Sequence, residues 1–190
     1  MIHELVEKNR TYRRFYEDVK IDENTLKELI DLARLSSSGA NLQPLKYIFS
    51  NTEEKNNLIF KTLGWAGYLK DWDGPSEGER PSAYIVMLLD KEISKNPMWD
   101  HGIACQSILL GAVEKGFGGC MFGSVNREAL KASLNIPESY EVLLVIALGK
   151  PKEEVVLEDL GTSKDIKYWR DSKEVHHVPK RSLKDIILDL

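Results

Sequence analysis

Trp99-Asp100-His101-Gly102-Ile103-Ala104-Cys105-Gln106-Ser107-Ile108-Leu109-Leu110-Gly111-Ala112-Val113-Glu114-Lys115 is the stretch on which the architecture turns. Its apolar residues Ile103, Ala104, Ile108, Leu109, Leu110, Ala112 and Val113 are spread around most of a helical circumference. A single stripe would mean a surface helix; this distribution means one covered on nearly all sides. Gly102, Ala104, Gly111 and Ala112 let neighbouring backbones come close, so the helix is expected at the centre of the fold or against a second subunit. His101 and Gln106 read as satisfied core or interface polar groups, a catalytic His101 being the lesser alternative.

Downstream, Gly116-Phe117-Gly118-Gly119-Cys120-Met121-Phe122-Gly123 carries four glycines in eight positions. Its spacing matches neither a dinucleotide fingerprint nor a Walker loop. It reads as a strand whose backbone lies flat against something large and planar, where side chains would intrude. Asn126 then caps a helix with Leu130 and Leu134 that stops at Asn135 and Pro137. Val142 to Gly149, and upstream Ala83 to Leu89, are nearly continuous apolar runs, as in strands buried on both faces of a sheet.

Towards the N-terminus, Asp22 caps a helix with Leu26, Leu29, Ile30 and Ala33 on one face. That helix delivers the chain to Ser36-Ser37-Ser38-Gly39-Ala40-Asn41-Leu42-Gln43-Pro44, a run of neutral donors and acceptors that is either a binding loop or a solvated connection. Tyr47-Ile48-Phe49 reads as a short strand, and Glu53 to Leu63 as a helix with Leu58, Ile59 and Leu63 inward. Gly64 to Pro81 is a long glycine- and proline-rich connection. Its Trp65, Tyr68 and Trp72 either cover a planar ligand or pin the loop to the core. Before all of these, Ile2, Leu5 and Val6 form a helical stripe leading into Asn9-Arg10-Thr11-Tyr12-Arg13-Arg14-Phe15. Three arginines in five positions suit a phosphate, and equally suit a solvated basic turn over Tyr12 and Phe15.

After Pro151 the chain becomes charged and irregular, and would be poorly stable alone. It closes with His176-His177-Val178-Pro179-Lys180-Arg181, followed by a helix capped by Ser182 that carries Leu183, Ile186 and Ile187 on one side. The adjacent histidines lack a third ligand at metal spacing. Lys180 and Arg181 are a second cationic cluster.

A chain of 190 residues fits one domain. With a net charge of -4 it has no general attraction for nucleic acid or membranes, so its partners are expected to be small molecules or another copy of itself. Cys105 and Cys120 sit in apolar or glycine-rich surroundings without metal spacing and read as reduced thiols. No segment approaches the roughly 20 apolar residues of a membrane span. Residues 1–10 are charged where a signal peptide is apolar, and the expected location is cytoplasmic.

A basic turn, a Ser/Asn/Gln loop, a glycine-rich strand and a second basic turn answer to the phosphate, polar edge and flat ring of flavin mononucleotide (FMN). In this order they resemble the nitroreductase-like FMN oxidoreductases. The family's Arg-Arg-Ser-x-Arg-x-Phe stands here as residues 9–15 and its Ser-x-x-Asn-x-Gln-Pro as residues 38–44, with Asn9 in place of the first arginine. Gly118 to Gly123, Gly149-Lys150-Pro151 and Val178-Pro179-Lys180-Arg181 are similar to the short members.

The resemblance implies an α+β fold, a largely antiparallel central sheet flanked by helices, in an intertwined homodimer. The single domain 1–190 would end in an extension, from about 152 on, wrapped around the partner. It assigns Arg10, Thr11, Arg13, Lys180 and Arg181 to the phosphate and polar edge of FMN, Arg10 standing in for the missing arginine. Ser37, Ser38, Gly39 and Asn41 would reach FMN held mainly by the other subunit, and Met121, Phe122 and Gly123 would line the ring. No side chain is expected to act as nucleophile or general base. Arg13 would stabilise charge at flavin N1 and O2, and Lys70 is the candidate for a mid-chain contact. The implied activity passes a hydride from NAD(P)H through flavin N5 to a small planar acceptor of nitroaromatic or quinone type. The alternatives are a specialised flavin enzyme (a reductive dehalogenase or dehydrogenase) and a non-catalytic flavin-binding dimer.

Overall fold

The computed structural model describes residues 1–162 and 164–189. In chain order its elements are α1 (Ile2–Lys8), β1 (Phe15–Tyr16), α2 (Glu23–Leu35), β2 (Leu45–Ser50), α3 (Glu53–Phe60), β3 (Ala83–Asp90) and α4 (Asp100–Glu114). There follow β4 (Gly118–Phe122), α5 (Arg127–Leu134), β5 (Tyr140–Pro151), β6 (Val155–Asp159), β7 (Trp169–Arg170), β8 (His176–Lys180) and α6 (Leu183–Ile186). Among the described residues no helix is long and apolar enough to cross a membrane.

The two apolar runs become neighbouring strands, β3 and β5, in a five-stranded antiparallel sheet of order β1-β5-β3-β2, with β4 also paired to β5. Every residue of β3 is buried because both faces are covered. Ala83, Ile85 and Met87 pack with α2 and α4, whereas Tyr84, Val86 and Leu88 pack on the side of Ile59 from α3 and Leu130 from α5. The α+β, largely antiparallel expectation holds. So do the caps: Asp22 accepts from Thr25 N at 2.9 Å, and Asn135 ends α5 in the left-handed region.

Three local expectations change. α3 stops at Phe60 and leaves Leu58 exposed. On α4, Ala104, Cys105, Ile108, Leu109 and Ala112 are buried, but Ile103 and the preceding Trp99 are exposed, so one face of this helix is open. The glycines of β4 and β5 are met by the chain's own rings and backbone. A Cβ on Gly118 would lie 2.5 Å from Tyr12, one on Gly119 2.5 Å from the Ala147 carbonyl oxygen, and one on Gly149 2.8 Å from Phe15. Packing therefore explains these three, and only Gly123 of the strand's end faces open space.

Beyond Pro151 the described residues add further elements. β6, β8 and β7 form a second small sheet, with β6 and β8 parallel. The α6 segment stays apart from it, with Leu183, Ile186 and Ile187 exposed.

Candidate functional site

Tyr12 donates its main-chain N–H to the Gly119 carbonyl at 3.0 Å, which lays residues 9–13 across β4. Side-chain alternation along β4 then divides its residues between two faces. Cys120 and Phe122 point into the core, and Met121, 48% exposed, points out on the other side. There a cavity of about 300 Å³ opens. Its floor is Gly119 and Met121 with Leu109 of α4, its near wall Asn9, Arg10, Thr11 and Arg13, and its far wall Tyr168, His176, Val178 and Lys180. Asn9 Nδ2 donates to Gln106 Oε1 of α4 at 3.5 Å.

The arginines are held by what surrounds them. Arg13, 8% exposed, donates from Nη1 to Nε2 of His176 at 3.2 Å and to the Thr11 carbonyl at 3.3 Å, with its guanidinium 4.5 Å over the Tyr168 ring. Burial, with the charges of Arg13 and Arg170, pushes the His176 imidazole down to about 4, so the ring is neutral near pH 7 and can accept from Arg13. Behind it, the buried Glu153 carboxylate accepts the main-chain N–H of Arg13, that of Arg14 at 3.2 Å and Arg170 Nη2 at 3.0 Å. Arg10 Nη2 donates to the Val6 carbonyl, while its Nε is buried without a partner.

Arg14 points away from the cavity. It grips both oxygens of Glu79 at 2.7 Å, and Lys152 reaches the same carboxylate at 3.0 Å. These bonds, Arg14 first, hold the Glu79 carboxyl down at about 2. A carboxylate with a depressed folded-state pKa stabilises the fold above the unfolded value and loses that contribution as pH falls towards the folded one. Between pH 5 and pH 2 the wild type should thus lose about 1 kcal/mol more than Glu79→Gln, the pair being partly screened by solvent. Urea unfolding of both proteins across that range checks it.

The Ser36–Pro44 loop is elsewhere. Ser38 Oγ donates to Asp100 Oδ2 at 2.6 Å, and the Gly39 N–H to Asp100 Oδ1 at 2.8 Å. Asp100 is buried at the start of α4 and borders a separate hollow of about 160 Å³ with Ser36, Ser37, Ser38, Gln43 and Tyr47. Ala40, Asn41 and Gln43 all have positive φ, near 50°, which non-glycine residues rarely adopt. Within one chain, Ser37, Ser38, Gly39 and Asn41 therefore do not join the cavity. Asn41 is exposed.

Three further expected residues lie away from the lining of this cavity in one chain. The Phe122 side chain is turned to the opposite face, 4% exposed and 4.6 Å from Trp65. Arg181 lies outside the lining that includes its neighbour Lys180. Lys70 borders a different, open hollow with Tyr68, Trp72 and Arg170. Trp65 and Trp72 pin the Gly64–Pro81 loop to the core, and Tyr68 packs 4.9 Å from Tyr168. Sequence reasoning missed Tyr168, His176 and Glu153. The available signal was an aromatic-basic cluster, Tyr168-Trp169-Arg170, inside an otherwise charged tail.

Comparison with known proteins gives a consistent answer. Residues 79–150 match the model of the Nitroreductase family. Over 149 residues, 74% of this chain and 80% of the relative, the sequence is 32% identical to a protein of Archaeoglobus fulgidus named "Putative NADH dehydrogenase/NAD(P)H nitroreductase". Among solved structures, a nitroreductase family protein from Clostridium novyi NT superposes with a TM-score of 0.67 at 26% identity, covering 80% of this chain and 87% of that one. An FMN-dependent nitroreductase from Clostridium difficile R20291 gives 0.64 at 28%, with coverage of 81% and 89%. By sequence and fold together, the chain belongs to the nitroreductase family.

Proposed function

We propose that the protein is an FMN-dependent oxidoreductase that works as a homodimer, using NAD(P)H as donor and a small planar nitroaromatic or quinone as acceptor. The observation that carries this reading is the convergence of Arg10, Thr11, Arg13 and Lys180 on one cavity floored by Gly119 and Met121. The donor set fits the group. Arg10 Nε is buried and unpartnered, and Arg13 Nε and Nη2 have no hydrogen-bond partner among the described residues; Gly123, beyond the lining, faces open space. Relatives named as an FMN-dependent nitroreductase and as an NAD(P)H nitroreductase support it.

Arg10, Thr11 and Lys180 would hold the phosphate, Arg10 filling the role vacated at Asn9, with Arg181 beside them at the rim. Arg13 would face the pyrimidine edge and offset charge near N1 and O2. Met121 and the backbone at Gly123 would meet the ring. When bound, FMN supplies the hydride relay, from NAD(P)H to N5 and on to the acceptor. The chain's own contribution is binding, orientation and fixed positive charge.

A cavity of about 300 Å³ is at the small end for a cofactor site, which accords with completion by a second copy. Trp99 and Ile103 beside and on α4, Ile2 and Val6 on α1, and Leu35 and Leu42 around the serine loop are exposed large apolar side chains of the kind an interface covers. Ser37, Ser38, Gly39 and Asn41 would enter the partner's site across it, and the apolar α6 end would lie on the partner.

Purified protein incubated with FMN and desalted should remain yellow, sediment as a dimer and bleach anaerobically with NADH or NADPH. Nitro compounds or quinones should restore the colour. Protein that stays colourless overturns the flavin reading, and yellow protein that neither nucleotide bleaches overturns the donor.

A further inference from the structure

Arg13 is the buried cation of the cavity, and an unanchored arginine would carry its full rotamer freedom into any interaction. Here both faces of that freedom are removed by residues 155 or more positions away. Tyr168 lies flat under the guanidinium at 4.5 Å, and His176 accepts from Nη1 at 3.2 Å. The two rings also support each other, with centroids 5.2 Å apart. Tyr168 is in turn held by the Gly64–Pro81 loop, whose Tyr68 ring is 4.9 Å away and whose Tyr68 N–H donates to the Tyr168 hydroxyl at 3.4 Å.

The consequence lies in which donors remain. Nη1 is spent on His176 and the Thr11 carbonyl, while Nε and Nη2 make no hydrogen bond to any described residue. The guanidinium is thus fixed at one nitrogen and free at the other two, in a residue that borders the cavity. An arginine always carries its charge and so cannot accept from a protonated imidazole. Neutral His176, with its other ring nitrogen buried and unpartnered, is the acceptor this arrangement requires.

We propose that Tyr168 and His176 are positioning residues of the flavin site: they clamp Arg13 so that its free donors meet the pyrimidine edge of FMN, and they thereby raise the reduction potential of the bound flavin. The assignment rests on the flavin reading above. Its physical basis is that charge gathers at N1 and O2 on reduction, so a donor fixed there binds reduced flavin more tightly than oxidised, whereas a mobile one divides its time with solvent.

Spectroelectrochemical titration of the FMN-loaded protein tests this in four forms: wild type, His176→Leu, His176→Gln and Tyr168→Leu. His176→Leu should lose about tenfold in the preference for reduced over oxidised flavin, a drop of about 30 mV for a two-electron couple. Tyr168→Leu should fall in the same direction. His176→Gln, which keeps a neutral acceptor, should recover most of the loss. If His176→Leu does not fold, Tyr168→Leu and His176→Gln still decide the matter, since half-buried Tyr168 tolerates replacement better. Potentials equal to wild type in Tyr168→Leu and in His176→Leu, with FMN bound one per chain, overturn the clamp and leave the flavin reading intact. Wild-type protein that takes up no FMN overturns the flavin reading itself, and the clamp with it.

Discussion

Glu153→Ala should lose about 3–5 kcal/mol of stability, the cost of removing one partner from a buried ion pair. The Glu153 side chain has no solvent exposure and faces Arg170 at 3.0 Å. The same carboxylate accepts the main-chain N–H groups of Arg13 and Arg14, so it joins the basic turn to the start of the extension. Its loss strands the Arg170 guanidinium, which among the described residues is otherwise engaged only by the Trp72 ring at 4.4 Å and whose Nε already lacks a partner there. Urea unfolding at pH 7 should show a lower midpoint with an unchanged slope. Glu153→Gln keeps the acceptor oxygen for the main chain and should fall between the two. A loss below about 1 kcal/mol for Glu153→Ala would mean that the pair is no more than a surface ion pair in effect.

The second large effect is expected on cofactor affinity. Arg13→Ala removes the cavity's buried cation and should weaken FMN binding by about 3 kcal/mol, roughly 150-fold, the upper range for hydrogen bonds to a charged group. Arg13→Lys retains charge but not the fork that serves His176 and the ligand together, and should recover only part of the loss. Flavin fluorescence titration of the apoprotein measures both. Tyr168 and His176 would lose a partner as well, so circular dichroism of the apoproteins must match before the affinities are compared. Equal affinity in wild type and Arg13→Ala would remove Arg13 from the site.

Much of the fold was legible because it depends on local chemistry. The apolar runs of β3 and β5 announce strands covered on both faces, Asp22 and Asn126 mark helix starts, and Asn135 marks a stop. The basic turn and the Lys180 end could be paired only through the family resemblance, since nothing in either segment says that they meet. The side-chain direction at Phe122 was readable in principle from strand alternation with Met121, once Cys120 was placed in the core. The small sheet of β6, β8 and β7 was not readable. Its central pairing is parallel, so no hairpin turn advertises it, and its short strands mix charged with apolar residues without a clear alternation. The hold of Asp100 on Ser38 and Gly39 was hidden for the same reason: the partners are 62 and 61 positions apart, and an aspartate at a helix start looks like any other.

The glycines show the opposite failure. Their density was read as room for a ligand, yet Gly118 and Gly149 make room for Tyr12 and Phe15, and Gly119 for the Ala147 carbonyl. Sequence shows that a Cβ is missing and cannot show which neighbour needs the space.

Arg13 and His176 meet although they stand 163 positions apart in the chain. During synthesis the N-terminal half of the cavity therefore emerges long before its opposite wall, and no early folding event can complete it. Newly made chains would pass through a stage with a finished main sheet and no capacity to retain a nucleotide. Maturation into a coloured protein would then lag behind the appearance of folded protein in a cell.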